Sequence, residues 1–199
     1  MKDQNQNKND NDDLKWIRKA KRDNHRAFGN LVLKYQKRIY FTVRKIVLDH
    51  DDANDIVQDT FVKVYRNLHR FDEQFPFYPW LRRIALNTTL NHQARIHRKK
   101  ESVSVSEMTE FDRIESETGN PIKEMMHHEL QDKIVDALQQ LPLDQRVVFI
   151  LRTNEELSYE EIGEQLEISI GTVMSRLSRA RARLKEILQP YLSQKENEG

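Results

Sequence analysis

The stretch Ser158–Leu184, SYEEIGEQLEISIGTVMSRLSRARARL, concentrates the most specific binding chemistry of the chain. Ser158 followed by Glu161 is a capping box, in which each side chain satisfies the other residue's backbone N–H at a helix start. Ile162 and Leu166 give that helix a buried stripe, and a short break follows at Glu167–Ile170. A second helix begins at about Gly171, with Val173, Leu177, Ala180, Leu184, Ile187, Leu188 and Tyr191 recurring at helical spacing. Its outward side holds Thr172, Ser175, Ser178, Arg179, Ala182 and Arg183, with Arg176 beside the seam. Small residues let a helix approach a surface closely, and arginines reach phosphates and guanine edges. The pattern predicts a helix-turn-helix whose DNA-facing candidates are Gly171, Thr172, Ser175, Arg176, Ser178, Arg179 and Arg183. An ordinary amphipathic helix with a solvated basic face is the alternative for this segment alone.

These residues need a scaffold, and composition bounds it. A chain of 199 residues suits one large domain or two small ones. It has no cysteine, which excludes disulfides and thiolate metal sites and points to a reducing, cytoplasmic setting. No apolar run is long enough to span a bilayer, and the N-terminus lacks a signal-peptide core. Lys and Arg number 33 against 32 Asp and Glu, so the net charge of +1 conceals segregation along the chain.

Residues 1–13, MKDQNQNKNDNDD, contain almost nothing to bury and read as a disordered tail. Apolar periodicity then predicts a first domain over 14–100. Phe28, Leu31, Val32, Tyr35, Ile39, Val43, Ile46 and Val47 make one long helical stripe, broken at Asp49–His50–Asp51–Asp52, whose acids suit the start of the next helix. Val57, Phe61, Val64, Tyr65 and Leu68 line that second helix. A loop rich in aromatics and prolines follows (Phe71, Phe75, Pro76, Phe77, Tyr78, Pro79), and Pro79 fits the first turn of a third helix. There Trp80, Leu81, Ile84, Ala85 and Thr88 face inward, and the far end turns basic at Arg95, His97, Arg98, Lys99 and Lys100. Residues 101–127 are acidic, interrupted by serines and by Gly119–Asn120–Pro121, which predicts a flexible linker. A second helical domain occupies 128–193. No strand pattern competes, so the expected fold is all-α: a three- to four-helix domain and a helix-turn-helix domain joined by an acidic linker.

Three runs resemble bacterial RNA polymerase sigma factors. DDANDIVQDTFVKVYRNL (Asp51–Leu68) is similar to the region that binds the core polymerase clamp. PWLRRIALNTTLNHQARIHRK (Pro79–Lys99) is similar to the promoter-melting and −10-reading helix. ALQQLPLDQRVVFILR (Ala137–Arg152) with the helix-turn-helix resembles the −35-binding domain. Two helical domains with little between them match the extracytoplasmic-function (ECF) subgroup of the sigma-70 superfamily. Asn54 departs from the glutamate of many relatives, Gly163 stands where alanine is common, and Glu167 where glycine often permits a tight turn.

The resemblance implies roles. Asp52, Asp55, Gln58, Asp59, Phe61 and Val62 would dock core polymerase; read alone, the acids equally suit a surface that complements the helix dipole. Phe75, Phe77 and Tyr78 would stack on or pocket unpaired −10 bases, and Arg82, Arg83, Asn87, Arg95 and Arg98 would hold the melted strand. Leu138, Leu141, Val147, Val148, Ile150 and Leu151 would be core, with part of that surface meeting the polymerase flap. The implied partners are core polymerase, promoter DNA (duplex at −35, melted at −10) and an anti-sigma protein that could hold the chain at the inner membrane face. Membrane insertion, a small-molecule substrate and a cofactor are not expected. The acidic linker suits a solvated spacer or a mimic of nucleic acid inside a polymerase channel.

Catalysis is not expected. His127–His128 with Glu124 and Glu129 is a poor metal cluster, because adjacent histidines on a helix diverge by about 100°. A phosphate-binding glycine loop and a nucleophile motif are both missing. The rival class is a stand-alone regulator that binds a palindrome as a dimer.

Overall fold

The computed structural model describes residues 12–102 and 133–197, which form helices with no strand among them. The chain divides into two compact units, residues 1–110 and 111–199. Most of the expected tail, most of the acidic linker and the His127–His128 pair lie outside the described residues.

The first unit contains α1 (12–20), α2 (His25–Val47), α3 (His50–Asn67), a 3-10 turn (Leu68–Arg70) and α4 (Phe77–Ser102). Asn24 starts α2 by accepting the backbone N–H of Ala27 at 3.0 Å. Leu48 ends it in the left-handed conformation, φ 66°, with its N–H returned to the Arg44 carbonyl. Asp49 then caps α3 by accepting from the N–H of Asp52 at 2.8 Å. The break is therefore only Leu48–Asp49, and His50–Asp52 already lie in the first turn of α3.

Packing follows the stripes. Leu31, Ile39 and Val43 of α2 meet Ile56 and Val64 of α3 and Leu81 and Ala85 of α4, all at 3% exposure or less. Each large aliphatic side chain so buried contributes about 1.5–3 kcal/mol. α1 closes the core with Ile17 and Ala20. It is tied to α2 through buried Asp13, which accepts from Lys34 Nζ at 2.6 Å and from the Tyr35 hydroxyl. On α4 the buried face includes Thr88 and Thr89, whose hydroxyls donate to the carbonyls of Ile84 and Ala85. That local bonding lets a polar residue occupy a core position.

The second unit contains α5 (133–139), α6 (Leu143–Thr153), α7 (Tyr159–Leu166) and α8 (Ile170–Asn197). The expected core residues Leu138, Leu141, Val147, Val148, Ile150 and Leu151 are all buried, so none presents a free apolar surface for a partner. Ile162, Val173, Leu177 and Ala180 complete the core. The predicted capping box is formed: Glu161 N–H donates to Ser158 Oγ at 3.1 Å, and Ser158 N–H donates to Glu161 Oε2 at 2.7 Å. α7 ends at Glu167 with φ 56° and ψ 42°. The N–H groups of Glu167 and Ile168 both return to the Gly163 carbonyl, folding the chain back tightly. A Cβ built at Gly163 would lie 2.9 Å from the Ile168 carbonyl oxygen, so this turn is packed more closely than alanine permits without a shift.

Left-handed backbone costs a residue with a Cβ about 1–2 kcal/mol, part of which glycine returns as unfolded-state entropy. Glu167→Gly is therefore expected to stabilise the second unit by about 0.5–1 kcal/mol, raising its thermal midpoint by a few degrees. Circular dichroism melts of the full chain measure this. An unchanged or lowered midpoint would mean that the Glu167 side chain contributes more than its backbone strain costs.

Candidate nucleic-acid interface

Three of the exposed helix faces carry the residues predicted to bind. On α3 the outward line is Asp51, Asp55, Gln58, Asp59 and Val62, spaced so that they share one side. Val62 is 47% exposed, an apolar residue in a polar acidic field. Two residues predicted for this patch leave it. Phe61 is buried in the core, because it falls on the stripe shared with Val57 and Val64. Asp52 turns toward α4, 3.6 Å from Nε2 of His92. Burial pushes the Asp52 carboxyl above the ordinary carboxylate range, opposed by His92 and reinforced by Asp49, Asp55 and Asp51. Asn54 bonds within the fold: its Nδ2 lies 2.9 Å from His50 Nε2, and the His50 ring reaches the Tyr40 hydroxyl of α2 at 2.7 Å.

The segment between the 3-10 turn and α4 sorts its aromatics by burial. Phe71 and Phe77 are each 3% exposed and meet edge to face, with centroids 5.5 Å apart. Trp80 packs on both, at 5.1 and 5.8 Å. Helix α4 starts at Phe77, two residues before Pro79, so Phe77 and Tyr78 belong to its first turn and not to the loop. Phe77 is thereby corrected from a base-stacking candidate to a core residue. Tyr78 is half-buried, stacked on Tyr35 at 5.6 Å and 23°, with the Arg38 guanidinium 3.7 Å from its ring centroid. Phe75 alone points outward, at 65% exposure.

The loop carrying Phe75 is held from below by α1. Glu73 accepts from Arg18 Nε at 2.7 Å and from Lys21 Nζ at 3.0 Å, and Lys21 also donates to the Phe71 carbonyl at 2.9 Å. These donors, Arg18 first, hold the Glu73 carboxyl below its ordinary range. A cleft of about 160 Å³ lies between Asp13, Leu14 and Ile17 of α1 and the loop from Glu73 to Phe77. Sequence reasoning missed α1 as the support of this loop. The clustered cations Lys15, Arg18 and Lys19 of α1, with Lys21 and Arg22 just after it, were the available signal.

On α4 the outward face is one line, Arg83, Asn87, Asn91, Arg95 and Arg98, all exposed and starting beside the aromatic cluster. Asn91 was not among the predicted residues, although its spacing of four from Asn87 and Arg95 placed it there. Arg82 leaves the set: it is 6% exposed, with its guanidinium 5.5 Å from the Tyr78 ring, because it lies one residue off the outward line.

On α8, Gly171, Ser178, Arg179 and Arg183 are exposed, while Thr172, Ser175 and Arg176 are partly covered. Ser169 bonds the N–H of Thr172 at 3.2 Å and its hydroxyl at 2.8 Å, fixing the first turn. Arg176 Nε lies 3.0 Å from Asp144 Oδ2, and Arg183 Nε donates to the Gln140 carbonyl at 3.1 Å. The exposed face also includes Ile170 and Met174, at 44% and 54%, which sequence reasoning had not singled out. Their pairing at i and i+4 on the helix that should face DNA was the missed signal.

Among the described residues, no group of three His, Cys, Asp or Glu is placed to hold a metal ion, and no helix is long and apolar enough to cross a membrane.

Comparison with known proteins bears on these faces. Residues 31–99 match the family Sigma-70 region 2, and residues 131–184 match Sigma-70, region 4. The RNA polymerase sigma-H factor of Pseudomonas aeruginosa is 39% identical over 184 residues, covering 90% of this chain and 95% of that protein. The ECF RNA polymerase sigma-E factor of Escherichia coli K12 is 34% identical over 181 residues, covering 88% and 94%. Among solved structures, RpoE in complex with the anti-sigma factor NepR from Bartonella quintana aligns with a TM-score of 0.67 at 28% identity, covering 81% of this chain and 96% of that one. CnrH in complex with the cytosolic domain of CnrY aligns with a TM-score of 0.62 at 28% identity, covering 90% and 98%. The chain belongs to the ECF group of the sigma-70 family, the RNA polymerase sigma factors that direct promoter-specific transcription initiation.

Proposed function

We propose that the exposed faces of α3, α4 and α8 each perform one part of initiation. The α3 face, with Asp55, Gln58, Asp59 and Val62, docks core polymerase. The α4 line Arg83, Asn87, Asn91, Arg95 and Arg98 holds the melted −10 strand, and Phe75 captures an unpaired base by stacking. The first turns of α8 enter the major groove at −35, where Arg176 and Arg179 reach bases or phosphates and Met174 offers an apolar contact to a thymine methyl. The observation that carries this reading is the unbroken polar and basic line along α4, which begins beside an exposed phenylalanine on a braced loop. Together they supply a track for phosphates and a platform for a base, the two elements that single-strand capture requires.

The protein acts by binding, without catalysis of its own, in the cytoplasm with its polymerase. A protein partner that covers it is part of the proposal, supported by the NepR-bound and CnrY-bound relatives. Run-off transcription with sigma-free core polymerase on sheared genomic DNA tests the whole. Discrete transcripts that require this chain support it. Tight binding to duplex DNA without polymerase, and no new transcripts, would replace it with a stand-alone regulator.

Phe75→Ala is expected to lower open-complex formation on duplex promoters by about tenfold, the value of losing one stacked base. Templates melted beforehand over −10 should be affected less, because base extrusion is then already accomplished. Equal loss on both templates would assign Phe75 to folding of the loop. Arg179→Ala should weaken promoter binding similarly across −35 sequences and reduce the slope of log affinity against log salt by about one, as expected for one phosphate contact. An unchanged slope would remove Arg179 from the DNA contact.

A further inference from the structure

The turn after α5 and the first turn of α6 each meet one arginine of α8 on its Nε edge. Asp144 forms an ion pair with Arg176, its Oδ2 3.0 Å from Nε, and the main-chain carbonyl of Gln140 accepts from Arg183 Nε. The two arginines are seven residues apart, about 10.5 Å along the helix, and share one side of it. Arg179 lies between them on that side. The Asp144 carboxylate is itself fixed: Oδ1 accepts the N–H of Gln145 at 3.0 Å, while Oδ2 takes the arginine. The side chains of Arg176 and Asp144 are 28% and 48% exposed, so the pair sits at the surface. Exposed ion pairs contribute little to folding, about 0–1 kcal/mol. Orientation is the larger consequence. A guanidinium is a rigid planar fork, and an ion pair on its Nε edge restricts where it points while leaving Nη1 and Nη2 to form the paired bonds that read O6 and N7 of guanine.

We infer that Asp144 is a positioning residue for promoter reading, holding the Arg176 fork where it recognises one guanine of the −35 element. This rests on the reading that α8 enters the major groove at −35. The carboxylate also repels nearby phosphates, so its removal acts in two directions: general affinity for DNA holds or rises while discrimination at one base pair falls. A residue that only supported the fold would move all sequences together.

The test uses the full chain assembled with core polymerase on promoters in which each −35 base pair is replaced in turn. Asp144→Ala is expected to flatten the preference at a single G·C pair by about tenfold, within the span of one bidentate arginine–guanine contact. Arg176→Ala should flatten the same pair, and the double variant should flatten it no further. Asp144→Glu keeps the carboxylate for the ion pair and should retain most of the preference. Arg176→Lys, which keeps the charge and loses the fork, should behave as Arg176→Ala; it tests the same mechanism even if Asp144→Ala folds poorly. Selective loss with Arg176→Ala but uniform or no loss with Asp144→Ala overturns the positioning role and leaves the −35 reading standing. Preference retained by Arg176→Lys also overturns the role. If Arg176→Ala changes no −35 preference, the reading of Arg176 itself fails.

Discussion

The edge-to-face contact between Phe71 and Phe77 is the interaction on which the first unit's exposed chemistry depends. These two rings, with Trp80 against both, fasten the loop before α4 to the core formed by α2 and α3. Aromatic pairs of this kind contribute about 0.5–1.5 kcal/mol beyond their buried area. Their larger effect is geometric. With the chain anchored at Phe71 and Phe77 and clasped at Glu73 by Arg18 and Lys21, Phe75 is left outward at 65% exposure.

The same contact sets the phase of α4. With Phe77 inside, Leu81, Ala85, Thr88 and Thr89 follow it into the core, and Arg83, Asn87, Asn91, Arg95 and Arg98 are left on the outer side. A base platform and a phosphate track thus come from one helix and the residues just before it, in fixed relation to each other. The second unit uses a similar economy. Packing Val173, Leu177, Ala180 and Leu184 against α6 and α7 turns Ser178 and Arg179 outward and brings Arg176 against the first turn of α6 and Arg183 against the turn before it.

Helical periodicity made the fold class legible, because apolar stripes at that spacing leave no strand reading and each stripe demands a partner helix. The capping box at Ser158 and Glu161 was equally legible, since it is a local bond between residues three apart. Glu167 stands where glycine often permits a tight turn in the resembled family, and it adopts the left-handed conformation. The family was legible from three runs in order, and the comparisons agree with it.

What the sequence determined by itself was therefore everything that depends on near neighbours: the helices, their caps, their inner faces and the family. Tertiary structure decided which of several similar residues on one segment meet solvent. Phe75 and Phe77 are alike as residues two apart, yet one is 65% exposed and the other 3%. Arg82 and Arg83 are adjacent, and only Arg83 faces out. The support of the loop by α1 and of Arg176 by Asp144 joins residues tens of positions apart. Such pairings follow from how the faces of different helices meet, and no local spacing encodes that meeting.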